Sequence, residues 1–265
     1  MPVPLHETKY DSEPVIDAGA AAADAESRGN ERPEAPSAIL LCYNPDLLAH
    51  LVETYDGEEL PGQYFGGGCY RLPGVPGERS VGIAGGFGIG APVTAMVMES
   101  LLHSGTERFC ICGRAGVIAA DGDGRDRVPE STAVVADRAL RDEGTSYHYE
   151  PPERTVPAAP VVLSAVRASL DRTDIEYRVG PTWTVDALFR ETAAEVERYA
   201  AEGVLTVEME AATAFTVARH HGAAAGAAFV PSDYVTLDGW DPLFGDDLDL
   251  LERLGEAVVR GLAAD

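Results

Sequence analysis

"GVLTVEMEAATAFTVA", residues 203–218, decides how this chain folds. Its first part, up to Val207, is an apolar, partly β-branched run of the kind that forms a buried strand. From Ala211 onward the residues are small and apolar, with almost nothing for water to solvate, which reads as a buried helix. The switch takes place within a few residues, and two carboxylates, Glu208 and Glu210, flank Met209 at the junction.

The same succession recurs on both sides of this stretch. Apolar runs at 38–43, 78–86, 108–116, 131–140, 174–183 and 222–234 read as strands. Segments at 45–54, 91–105, 159–170, 187–201 and 246–262 carry apolar residues at helical spacing. Strands alternating with helices predict an α/β fold: a three-layer α/β/α single domain, with a central, largely parallel twisted sheet and helices on both faces. This domain is expected over residues 38–265. Residues 1–37 are expected to be an N-terminal tail whose 17–37 stretch, "DAGAAAADAESRGNERPEAPS", is a flexible Ala/Glu/Pro-rich insert with little to bury. No internal repeat is visible.

Composition narrows the function. The net charge is −24, and Lys9 is the single lysine. Such a surface repels nucleic acid and anionic membranes, and it matches the acidic balance of proteins adapted to salt-loaded cytoplasms. A cytoplasmic location is expected, with no signal peptide and no bilayer-spanning run. Cys110 and Cys112 in "RFCIC" share one face of a strand and read as buried thiols. No Cys/His spacing suits zinc, so no metal site is expected.

In such folds ligands bind beyond the carboxyl ends of the strands. Four loops fall there. "GGFGIGAP" (85–92) joins a strand to a helix, and Gly88 and Gly90 allow close approach to an anion or hydroxyl at the helix N-terminus. "CGRAG" (112–116) adds Arg114, which can grip a phosphate or carboxylate with two parallel hydrogen bonds, or simply make a surface ion pair. "VEMEA" sets Glu208 and Glu210 in apolar surroundings, where a carboxylate must find donors such as vicinal sugar hydroxyls; offsetting a helix dipole is the structural alternative. "VPSDY" puts Asp233 at the end of a buried strand, where it can serve as a proton donor or as a turn residue.

Together these segments resemble the nucleoside phosphorylase family that includes uridine phosphorylase and the hexameric purine nucleoside phosphorylases. "GFGIGAPVTAMVMESLLHSG" resembles the family's Gly-rich turn and helix, "FCICGRAGVI" its Arg-x-Gly-(Ser/Thr)-x-Gly strand, and "ALRDEGTSYHY" (139–149) its Asp-Gly-x-Ser segment. "VEMEA" is close to its Glu-Met-Glu hallmark. The resemblance implies a pentosyltransferase that cleaves the N-glycosidic bond of a ribonucleoside. Inorganic phosphate is the co-substrate, no cofactor is needed, and ribose 1-phosphate is the product. It also implies a homo-oligomer, a hexamer built as a trimer of dimers.

The resemblance assigns roles. Met209 packs the ribose face, Glu210 binds the 2′- and 3′-hydroxyls, and Glu208 lines the same wall. His6 is the candidate for the 5′-hydroxyl of a neighbouring subunit, and Phe189 or Trp183 for base stacking. Ser232-Asp233 marks a purine enzyme, with Asp233 giving a proton to the leaving base. Arg114 and the backbone N–H groups at 88–90 hold phosphate. The chain also departs from the pattern. Tyr43 and Leu47 stand at the glycine and arginine of the family's first phosphate loop, Ile111 stands at another arginine, and Arg71 is displaced from where a neighbour's arginine is expected. These losses leave open a hydrolytic nucleosidase, with Asp46 as the nearest water-activating acid. A uridine phosphorylase or a non-catalytic ligand-binding relative is a lesser alternative.

Overall fold

Alternate residues of Ala38–Cys42 (β1) face opposite ways. Ala38, Leu40 and Cys42 enter one apolar cluster, and Ile39 and Leu41 enter another. This two-residue alternation places the strand between two helical layers. The computed structural model describes residues 6, 8–28, 34–64, 66–243 and 248–264.

Ahead of β1, Ala18–Ser27 form α1. The chain continues through α2 (Pro45–Thr54), β2 (Glu58–Tyr64), β3 (Gly67–Arg71), β4 (Val81–Gly85), α3 (Ala91–His103), β5 (Arg108–Ala119) and β6 (Thr132–Asp142). Then follow β7 (Thr155–Pro157), α4 (Pro160–Leu170), β8 (Glu176–Val185), α5 (Ala193–Ala201), β9 (Thr206–Glu208), α6 (Ala211–His220), β10 (Ala224–Thr236), β11 (Gly239–Pro242) and α7 (Leu248–Leu262).

All these strands belong to one sheet. It is mixed, which corrects the expectation of a largely parallel one. The pairs β1–β4, β1–β5, β5–β10, β6–β8 and β8–β9 are parallel. The pairs β2–β3, β3–β4, β5–β9, β6–β7, β6–β10 and β10–β11 are antiparallel. Because β5 pairs with both β9 and β10, the run β5, β10, β6, β8, β9 closes into a ring. From β5 the sheet also extends as an open wing through β1, β4, β3 and β2.

The wing's outer hairpin, β2–β3, is absent from the sequence reading. "ELPGQYFGGGCYR" looks like loop because of Pro61 and its glycines. Proline is tolerated here because β2 is an edge strand, with no ladder partner on its outer side. The expected helix over 187–201 is also shorter. Residues 188–190 form a 3₁₀ turn, and α5 starts only after Thr192. Thr192 and Glu195 make a reciprocal capping box there, in which the Thr192 hydroxyl and Glu195 carboxylate each accept a backbone N–H. The 17–37 stretch, expected as flexible insert, contains helix α1, which packs beside α3.

Helix α6 is the segment the opening stretch predicted. Ala211 to Ala218 are all buried, between the sheet and α3. All four cysteines are buried and unpaired, Cys110 and Cys112 within one cluster. Burial pushes the Cys110 and Cys112 thiols far up, so they stay protonated and inert. No helix among the described residues is long and apolar enough to cross a membrane.

Candidate active site

The strand-to-helix junction at 208–211 is held by a closed set of hydrogen bonds. Glu208 Oε2 accepts the backbone N–H of Glu210 at 2.8 Å and of Ala211 at 2.7 Å. Glu208 Oε1 accepts the Thr184 hydroxyl at 2.5 Å, and Thr184 Oγ1 in turn accepts the Ala212 N–H at 2.9 Å. Thr182 completes the group, its hydroxyl 3.4 Å from Glu208 Oε1. Glu208 Oε2 thus satisfies the first turn of α6, while Oε1 is occupied by the β8 hydroxyls of Thr184 and Thr182. Glu208 lines the site, as expected, but its work there is to fix the turn.

That turn aims Glu210. It is buried, and its Oε1 accepts the N–H of Gly90 at 2.6 Å. Gly90 sits at the N-cap of α3 with φ 102°, a left-handed geometry that favours glycine. Two helix N-termini, α3 and α6, therefore converge on one carboxylate. Burial raises the pKa of Glu210, with Asp186 adding repulsion and the Gly90 and Met209 N–H groups opposing the rise. Burial and repulsion from Glu210 likewise push Glu208 up.

The sign of this shift gives a prediction. A carboxylate whose folded pKa lies above its unfolded value costs nothing below the unfolded pKa, near 4.5 for glutamate. The cost grows as pH rises and is complete above the folded value, here about 7. Glu210→Gln removes it, so the variant gains stability relative to the wild type as pH rises from 5 to 8. Denaturant unfolding across that range is the check, and a gain that shrinks with pH would contradict the assignment.

Glu208, Met209 and Glu210 line a cavity of about 320 Å³ together with Tyr43, Asn44, Ile89, Ile111, Gly113, Arg114 and Phe229. It opens just past the ends of β1, β4 and β9, where the fold class places ligands. Arg114 reaches it from β5 and supplies its positive charge. Tyr43 donates to or accepts from Thr94 Oγ1 at 2.6 Å and packs edge-on against Phe87, with ring centroids 5.3 Å apart. Tyr43 and Ile111 were noted in the sequence only as departures from a pattern. Here they form part of the wall, alongside Ile89 of the GGFGIGAP loop and Phe229, which no sequence motif marks.

Asp233 is not among the residues that line this cavity; it lies further along β10. A register shift between Pro231 and Asp233 re-aims the strand, and Asp233 then pairs with Gly116 of β5. A Cβ added at Gly116 would lie 3.0 Å from Asp233 Oδ2 and 3.1 Å from Val207 Cγ1. β5, β9 and β10 thus pack closely at Gly116, which leaves no room there for a side chain. Asp233 Oδ1 accepts the Ser232 hydroxyl, and Oδ2 accepts Trp240 Nε1–H at 2.9 Å.

Several candidate residues fall elsewhere. Trp183 does not reach the cavity. It is fully buried, packs edge-on against Tyr199 at 4.9 Å, and donates Nε1–H to Asp142 at 3.0 Å. Its expected stacking role gives way to a core one, because β8 turns this residue toward α5. Trp183→Ala is expected to cost about 3–5 kcal/mol of stability, read as the shift of the urea midpoint; an unmoved midpoint would contradict the core assignment. Phe189 is 96% exposed on the 3₁₀ turn. Gly88 is exposed in the loop before α3. His6 is exposed, and its Nδ1 lies 3.0 Å from Thr8 Oγ1. Arg71 is held at the Glu34 carbonyl, 3.2 Å away. Leu47 is fully buried in α2. Asp46 is exposed in the first turn of α2 and is not part of the cavity wall.

A second, larger cavity of about 790 Å³ lies at the amino-terminal ends of β5 and β10, between α1 and α3. Its charged lining mixes Arg79 and Arg108 with Asp17, Glu99 and Glu107, and it shares no residue with the first.

Fold and cavity define an α/β protein whose ligand site combines a buried carboxylate, a cation and two helix N-termini. Comparison with known proteins specifies it: residues 37–263 match the Phosphorylase superfamily, and the chain belongs to that family of enzymes. Over 177 residues it is 38% identical to guanosine phosphorylase from Halorubrum lacusprofundi, covering 66% of this chain and 70% of that protein. Over 214 residues it is 27% identical to a DeoD-type purine nucleoside phosphorylase from Oceanobacillus iheyensis, covering 78% and 86%. The crystal structure of uridine phosphorylase from Vibrio fischeri superposes with a TM-score of 0.69 over 87% of this chain and 92% of that one. At 22% identity, that likeness shows the fold.

Proposed function

We propose that this protein cleaves the N-glycosidic bond of purine ribonucleosides by phosphorolysis, releasing the base and ribose 1-phosphate. The observation that carries the reading is the pairing in one cavity of Glu210, fixed by Gly90 N–H, with Arg114. A sugar needs an acceptor for its hydroxyls and a phosphate needs a cation, and both face the same space.

In this reading Glu210 accepts from the 2′- and 3′-hydroxyls, and Met209 covers the ribose face. As the C1′–N9 bond breaks, its electron pair goes to the purine and positive charge develops on the sugar, which the Glu210 carboxylate stabilises. Asp233 delivers a proton to N7 of the leaving base. Phosphate, held by Arg114 and the N–H groups of Gly88 and Ile89, since the expected Gly90 N–H is committed to Glu210, attacks C1′. No cofactor takes part. His6 would complete a neighbouring subunit's site in a hexamer built as a trimer of dimers.

The purine assignment rests on Ser232-Asp233 and on relatives named guanosine phosphorylase and purine nucleoside phosphorylase. It is tested by comparing base release from guanosine, inosine, adenosine and uridine with phosphate present. Purine release at least tenfold above uridine is expected, and a uridine preference would contradict it.

A hydrolytic reaction is the second reading, favoured by apolar Leu47 and Ile111 where the family pattern has arginines. Against it, Asp46 is solvent-exposed and away from the cavity wall.

The acidic surface fits a salt-loaded cytoplasm, and one relative comes from Halorubrum lacusprofundi. With a net charge of −24, self-repulsion is screened by salt. The thermal midpoint is therefore expected to rise from low salt to molar KCl, and a midpoint that falls would contradict salt adaptation.

A further inference from the structure

Glu210 stands at the N-cap of α6, yet its carboxylate caps no N–H of its own helix. An acceptor at this position ordinarily takes the N–H of the second or third helical residue, because the first turn leaves those donors unpaired. In α6 the second residue is Ala212, and its N–H is already taken, at 2.9 Å, by Thr184 Oγ1 of β8. The N–H groups of Glu210 and Ala211 go to Glu208 Oε2 of β9. Three successive donors are thus satisfied by the sheet, from outside the helix. The Glu210 side chain is left to turn the other way and accept Gly90 N–H at 2.6 Å.

Thr184 is built into this place. It is fully buried and lies opposite Glu208 in the β8–β9 pairing. A hydroxyl has one proton to give. Thr184 gives it to Glu208 Oε1 at 2.5 Å, which leaves the oxygen's lone pairs for Ala212. Thr182, two residues earlier on the same face, accepts the Thr206 hydroxyl at 3.0 Å and lies 3.4 Å from the same Glu208 oxygen. Thr184 itself does not line the cavity, so any effect it has on a ligand passes through Glu208 and α6.

We propose that Thr184 is a positioning residue for the sugar site: by occupying Ala212 N–H it keeps the Glu210 carboxylate from capping its own helix and leaves it facing the cavity. The expected effect on activity rests on the proposed nucleoside reading, whereas the effect on Glu210 is a property of the fold alone. Without the hydroxyl, a buried N–H loses its acceptor, which is costly, and the N-cap carboxylate is the side chain placed to replace it. That swing would release Gly90 N–H and withdraw the acceptor from the sugar hydroxyls together.

The test uses Thr184→Val, which removes the hydroxyl at nearly the same shape, and Thr184→Ser, which keeps it. Thermal melts accompany each, and Thr184→Ala takes the place of the valine variant if that one does not fold. In Thr184→Val the KM and Kd for guanosine are expected to rise roughly 10–100-fold, the worth of a hydrogen bond to a charged group. The KM for phosphate stays within about twofold, and Thr184→Ser restores the guanosine values. In a Glu210→Gln background Thr184→Val adds nothing further, because it acts through that carboxylate. The Gly90 amide proton, followed by NMR, is expected to lose its downfield shift in Thr184→Val and to keep it in Thr184→Ser. Equal rises in both KM values, no rescue by serine, additive losses in the double variant, or an unmoved Gly90 signal would each overturn the proposal. Absent phosphorolysis in the wild type would instead count against the proposed reaction, and the Gly90 signal would still decide on Thr184.

Discussion

Glu210→Gln is expected to lower kcat/KM for nucleoside by about a thousandfold while leaving the protein folded. The amide has the shape of the carboxylate, and its oxygen can still accept Gly90 N–H, so the convergence of α3 and α6 survives. What is lost is charge. Two sugar hydroxyls donating to an ionised acceptor are each worth about 1.5–3 kcal/mol more than to nothing, and the charge also faces a developing cation. Together these amount to roughly 4 kcal/mol, or about a thousandfold. Steady-state kinetics with a thermal melt of the same sample make the measurement. A loss below about tenfold in folded protein would remove Glu210 from the sugar.

The second large effect belongs to Arg114. Arg114→Ala should raise the KM for phosphate by about 100-fold and the KM for nucleoside only slightly, because Arg114 is the cation that lines the cavity among the described residues. A charge-assisted, two-pronged contact to phosphate carries about 3 kcal/mol. Arg114→Lys should recover part of it, since lysine restores a point charge without the fork. Equal rises in both KM values would show that Arg114 shapes the cavity as a whole instead of binding phosphate.

The sequence carried the site better than it carried the sheet. Glu210 and Gly90 were legible because each sits at a strand-to-helix junction, where residue type and backbone geometry are tightly coupled; Arg114, expected in a loop at a strand end, lies inside β5 instead. The role of Glu208 was half legible. Its apolar setting announced a carboxylate in need of donors, but the donors proved to be the N–H groups of its own helix turn and Thr184. Trp183 misled because an aromatic in a strand looks the same whether it faces a cavity or the core. The mixed sheet was hidden because short partners such as β7 and β9 are three residues each, below the length at which periodicity speaks. The β2–β3 hairpin was hidden by Pro61, which only an edge position permits.

Glu210 and Arg114 serve one reaction in the proposed function, with phosphate as the second substrate. The most direct measurement is the sugar product formed from guanosine in molar KCl, with and without inorganic phosphate. Base release that requires phosphate and yields ribose 1-phosphate in equal amount is the predicted result. Release of free ribose at the same rate without phosphate would contradict it and assign the cavity to hydrolysis.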